Sequence, residues 1–76
     1  MNKERRRSLK EAVKLIEDAK EIIEICKEEE EEYLDNIPEN MQTSDKYSDS
    51  DSAIESMGRA IDNLDEALGN IDEAVC

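Results

Sequence analysis

Asp35-Asn-Ile-Pro-Glu-Asn-Met-Gln-Thr43 separates two long runs of helical periodicity, and its reading decides the fold. Pro38 disfavours a helical conformation at Ile37 and has no backbone N–H to donate. Upstream, residues 3–34 contain neither Gly nor Pro. Leu9, Ala12, Ile16, Ala19, Ile23 and Cys26 alternate at spacings of three and four, and Val13, Leu15 and Ile22 widen that stripe. At about 100° per residue these positions cover roughly half of a helix circumference. One long helix over residues 3–34 follows.

Downstream, Ile61-Asp-Asn-Leu-Asp-Glu-Ala67 is followed at once by Leu68-Gly-Asn-Ile-Asp-Glu-Ala74, a repeat of seven residues. Large apolar residues recur at Ile54, Ile61, Leu68 and Val75, and at Met57, Leu64 and Ile71; alanines recur at Ala53, Ala60, Ala67 and Ala74. Tyr47 stands seven before Ile54, so the stripe reaches back toward Ser44 rather than starting at the Ser52-x-x-Glu55 capping box. Gly58 and Gly69 lie off the main stripe and weaken this helix by up to about 1 kcal/mol each. The sequence predicts a second helix over residues 44–75 and a connection over 35–43.

A link this short makes the helices antiparallel neighbours. The predicted architecture is one all-α helical hairpin. The small row Ala12, Ala19 and Cys26 matches the alanine row of the second helix, so the two backbones can approach closely. A strict two-stranded seam uses only two positions in seven, and here about three are apolar. The surplus calls for another copy of the chain, in a four-helix bundle or a higher homo-oligomer. Leu9, Val13, Ile16, Ile22, Ile23, Met57, Ile61, Leu64, Leu68 and Ile71 are the expected interface.

The 76 residues carry 22 acidic and 10 basic side chains, a formal charge of −12. The charge is not evenly spread. Lys3, Arg5, Arg6, Arg7 and Lys10 make the start basic, whereas Glu28–Glu32 is an unbroken acidic run. Both are misplaced for a lone helix, whose dipole favours anions at its start and cations at its end. Both are relieved if first helices of two chains cross antiparallel, centred near Asp18, with Arg5–Arg7 near the partner's Glu30–Glu32. A solvated charge run is the simpler alternative.

Most chemistry is excluded. There is no His, hence no imidazole base, Ser-His or Cys-His pair, or His ligand. The Glu-x-x-His motif of carboxylate metal sites in helix bundles is missing. The only glycines, Gly58 and Gly69, form no phosphate-binding loop. Asp45–Glu55 is acidic but lacks the glycine and the spaced final Glu of a calcium loop. The expectation is a non-enzymatic protein without cofactor or metal. Cys26 and Cys76 lie at opposite ends of a hairpin, roughly 30 Å or more apart, so they cannot pair; Cys26 reads as a small core residue and Cys76 as a free thiol. Unpaired cysteines, no apolar run of spanning length and no apolar stretch behind the basic start together predict a cytoplasmic protein with no membrane contact.

Three features could carry binding. The acidic surface can imitate the phosphate field of DNA, or simply keep the chain soluble. The basic cluster, Arg5, Arg6, Arg7 and Lys10, suits phosphate, and across an oligomer interface it could meet Tyr33 or Tyr47, on which a base would stack. The connection offers Asn36 beside Tyr33, alongside ordinary turn and capping chemistry. Ile25 points away from the stripe and is either isolated or part of a second contact.

An Arg-rich start, Ala-x-x-x-Ile steps, the segment Glu28-Glu-Glu-Glu-Glu-Tyr-Leu-Asp-Asn-Ile-Pro-Glu-Asn-Met-Gln42 and the Ile-Asp-Asn-Leu-Asp-Glu-Ala repeat together resemble small acidic helical proteins of phages and prophages of Gram-positive bacteria. The resemblance covers most of the chain. It implies an inhibitory binder, of counter-defence type, that blocks a host protein or sequesters a nucleotide immune signal as a homo-oligomer in the host cytoplasm. It supplies no catalytic residues. A DNA mimic acting on a nucleic-acid-binding protein and a purely structural coiled-coil module are the alternatives; direct nucleic-acid binding is not expected.

Overall fold

The computed structural model describes residues 1–76. Two helices, α1 (Lys3–Asp35) and α2 (Asp45–Val75), lie antiparallel in a rod of 59 × 15 × 13 Å. There is no strand; a single 3₁₀ turn, Glu39–Met41, sits inside the connection. The hairpin anticipated from the sequence is the fold.

Local chemistry sets the ends. The Asn2 side chain accepts from the Arg5 N–H at 2.8 Å and caps α1. Asn36 closes α1, its N–H donating to the carbonyls of Glu32 and Tyr33 at 3.2 Å. Pro38 is extended at φ −57°, ψ 146° and leads into the 3₁₀ turn, where the Met41 N–H donates back to its carbonyl at 2.8 Å. Ser44 starts α2, accepting from the Tyr47 N–H at 3.3 Å. A hydroxyl acceptor at this position satisfies one of the four orphan donors of a helix start.

Packing divides the broad stripe of α1 in two. One row, Leu9, Val13, Ile16, Lys20, Ile23, Lys27, Glu30 and Leu34, alternates by four and three and is half-buried throughout. It faces the matching row Tyr47, Ser50, Ile54, Met57, Ile61, Leu64, Leu68, Ile71 and Val75 of α2, also half-buried except for Ser50. Leu9 and Val13 stand beside Leu68, Ile71 and Val75. Lys20 reaches Asp65, and Lys27 lies over Gly58. The alternation of three and four along both rows is the a and d spacing of a two-stranded coiled-coil seam.

The second row of α1, Ala12, Leu15, Ala19, Ile22, Cys26 and Tyr33, runs one residue earlier, about 100° round the helix, and is mostly exposed. The expectation that Cys26 is a core residue is therefore corrected. Cys26 is exposed, because the seam at this level is taken by Ile23 and Lys27. Both cysteines are free. Ile25, on the side of α1 opposite the seam, is 49% exposed.

Ser50 is the only buried residue, at 4% exposure, and its hydroxyl has no hydrogen-bond partner. An unsatisfied buried hydroxyl costs about 1–3 kcal/mol, so Ser50→Ala is expected to raise the stability measured by urea unfolding. Gly69 meets nothing within 4 Å of where a Cβ would stand. Gly69→Ala should therefore add about 0.5–1 kcal/mol through helix propensity alone, and a loss of stability in that variant would show that Gly69 has a packing role.

Candidate functional surfaces

The two sides of the hairpin differ in chemistry because the residues flanking the seam differ. On one side the seam is bordered by Glu17, Glu24 and Glu31 of α1 and by Asp51, Asp65 and Asp72 of α2. Two lysines inside the seam lean toward this border. Lys20 Nζ lies 2.6 Å from Asp65 Oδ1, bridging the helices, and Lys27 Nζ lies 2.6 Å from Glu31 Oε1 one turn along α1. Their carbon stems cover apolar surface while their charges reach the rim. The hydrogen bond to Asp65 raises the Lys20 pKa above the ordinary lysine value; the charges of Asp65, Glu24 and Glu17 add to this, and partial desolvation opposes it. Lys27 is raised by its hydrogen bond to Glu31, with Glu31, Glu28 and Asp62 adding and desolvation again opposing.

On the other side the border is apolar and small. Ala12, Ala19, Cys26 and Tyr33 of α1 and Ala53, Ala60, Ala67 and Ala74 of α2 hold the positions that flank the seam on this side. Leu15 and Ile22 stand above them, 64% and 62% exposed. No apolar side chain anywhere in the hairpin is fully buried. The small rows anticipated from the sequence thus lie along one flank rather than in the seam.

The expected oligomer-interface residues are redistributed by this geometry. Leu9, Val13, Ile16, Ile23, Met57, Ile61, Leu64, Leu68 and Ile71 line the seam between the chain's own helices, and of that set only Ile22 stands on the outer flank.

The basic start also divides. Lys3, Arg6, Arg7 and Lys10, spaced three, four and seven apart, line one shallow cleft. Arg5 is not among them; it occupies the same helical row as Ala12, Ala19, Cys26 and Tyr33. None of these five cations takes part in an ion pair within the chain. At the opposite end, Tyr33 and Asn36 share a cleft with Ile37, Pro38, Met41, Ser44 and Lys46, and a neighbouring hollow joins Tyr33 with Glu30, Lys46, Asp49 and Ser50. Tyr47 is half-buried in the seam. Arg5 and Tyr33 are 28 residues apart on one straight helix, about 42 Å. A single chain thus does not bring the basic cluster and the tyrosines together.

No group of three His, Cys, Asp or Glu side chains is placed to hold a metal ion. No helix is long and apolar enough to cross a membrane. No protein-family model, curated protein or solved structure matches the chain.

Lys20 and Lys27, which no apolar periodicity marks, are the seam residues that tie the acidic rim down. Both lysine pKa values are raised on folding, so the stabilisation is complete below the unfolded value near ~10.4 and is lost as pH rises through the folded values. The thermal midpoint should hold steady from about pH 8 to 10 and fall above that. In Lys20→Met the alkaline fall should be smaller; an identical fall in both proteins would assign it to other groups.

Proposed function

We propose that this chain is a non-enzymatic binding protein whose working form is a homo-oligomer, and that it acts as an inhibitor by covering a partner protein's surface. The observation that carries the assembly is the apolar flank. Leu15 and Ile22 project from a row of small residues, while the hairpin's own seam leaves every apolar side chain at least partly exposed. Contiguous apolar surface of this kind, rimmed by charge, marks an interaction site. A helical bundle of two or more hairpins covers it and leaves the carboxylate rims outside.

Those rims supply the binding chemistry. Residues 11–76 hold 21 acidic and five basic side chains. Rows of carboxylates along a rod suit a basic protein surface, including one that otherwise holds nucleic acid, and attract it over a long range at low salt. The phage-type resemblance adds that the partner is a host component. A second reading rests on a different feature: four cations, Lys3, Arg6, Arg7 and Lys10, converge on one cleft without ion-pair partners. That cleft suits a small anion such as a nucleotide, and sequestration would then replace blockade.

Assembly is tested by sedimentation equilibrium. The protein should be dimeric or larger at micromolar concentration, and Leu15→Glu with Ile22→Glu should shift it at least tenfold toward monomer while the helical circular dichroism remains. A helical monomer at all concentrations would remove the proposal. Native mass spectrometry of protein purified from a host lysate separates the modes of action. A bound basic protein released between about 0.05 and 0.5 M salt supports blockade by the acidic rims; a bound nucleotide supports the basic cleft; neither would leave a structural module.

A further inference from the structure

We infer that the occupant of the apolar flank is a second copy of the chain, laid with α1 antiparallel on α1 about a two-fold axis at Ala19. This rests on the self-association proposed above and specifies its geometry.

The helical row on the flank reads Arg5, Ala12, Ala19, Cys26, Tyr33, with Ala19 at its midpoint. The neighbouring row reads Ser8, Leu15, Ile22, Glu29, with its midpoint between Asp18 and Ala19. A two-fold axis at Ala19 therefore superposes the whole surface on itself. Ala19 meets the partner's Ala19, Ala12 meets the partner's Cys26, and Leu15 lies beside the partner's Ile22. Small residues at the crossing let the two backbones approach, and the large exposed side chains fill the space on either side. Sliding the helices by one turn in either direction would leave part of the row uncovered.

The charges select the same arrangement. Arg5 has no ion-pair partner within its own chain. About Ala19 it comes to the partner's Tyr33, flanked by the partner's Glu29 and Glu32. A guanidinium over a tyrosine ring between two carboxylates is favourable on both counts. Two alternatives do worse. Parallel α1 helices would set Arg5 beside the partner's Arg5 and the two Glu28–Glu32 runs together. Laying α1 on the partner's α2 with the two hairpins parallel would carry Arg5 past the last turn of α2, because Leu9 already stands level with Val75. The second helix is consistent with the axis: the register of the seam puts Ala19 level with Asp65, close to the middle of the alanine row at residues 53–74. Lys3, Arg6, Arg7 and Lys10 face the other side of the hairpin and stay outside this contact.

The test is disulfide trapping in the full chain. With Cys76→Ser, the Ala12→Cys thiol should link under mild oxidation to Cys26 of the other chain, giving a covalent dimer as the major species on a non-reducing gel. Positions 12 and 26 lie about 21 Å apart along one helix, so the bond cannot form within a chain. In a second variant, Ala19→Cys with Cys26→Ser and Cys76→Ser, the single thiol should link to its own copy. Peptide mass spectrometry identifies the bonds. A protein that sediments as a dimer but yields neither bond, or whose Cys26 links to Cys26, overturns this arrangement and leaves self-association standing. A monomeric protein overturns both.

Discussion

Two helices in contact share one seam, and one seam can cover only two positions in every seven. That limit governs this protein. The seam is continuous from Leu9 and Val75 at one end to Leu34 and Ser50 near the other, yet no apolar side chain in it is fully buried. A hairpin of 76 residues has too little interior to do otherwise. Its stability rests on half-covered side chains and on caps at Asn2, Asn36 and Ser44.

The seam is also where the chain gives up burial for specificity. Lys20, Lys27 and Glu30 hold positions that Leu or Ile would fill with more apolar contact. A charged residue at such a site weakens packing but penalises registers in which its partner is missing. Lys20 meets Asp65 only when α1 and α2 pair as they do here. Lys27 is tied to its own helix by Glu31, and its stem occupies the room left by Gly58. The two lysines lean to the same side, and this helps to make one flank of the rod ionic and the other apolar.

The asymmetry gives each surface one job in the proposed mode of action. The apolar flank assembles copies; the carboxylate rims and the basic cleft remain accessible for a partner. The charge distribution also explains why the basic start divides into two groups. Arg5 falls on the flank row, whereas Lys3, Arg6, Arg7 and Lys10 line one cleft on another face of the same helix.

The sequence by itself determined the two helices, the break at Pro38 and the start at Ser44, because each rests on local rules: periodicity, the proline ring, a hydroxyl cap. It also showed that the apolar surface exceeds what a hairpin can cover. The allocation of that surface was decided by the tertiary structure alone. Leu15 and Ile16, or Ile22 and Ile23, are adjacent in sequence and comparably apolar, so no periodicity distinguishes which of each pair faces α2. The register between the helices decides it, and register is a property of both strands together. That is why Cys26 read as core and stands exposed, why Ile22 separates from the other interface residues, and why Lys20 and Lys27, polar in any one-dimensional pattern, turn out to sit in the seam.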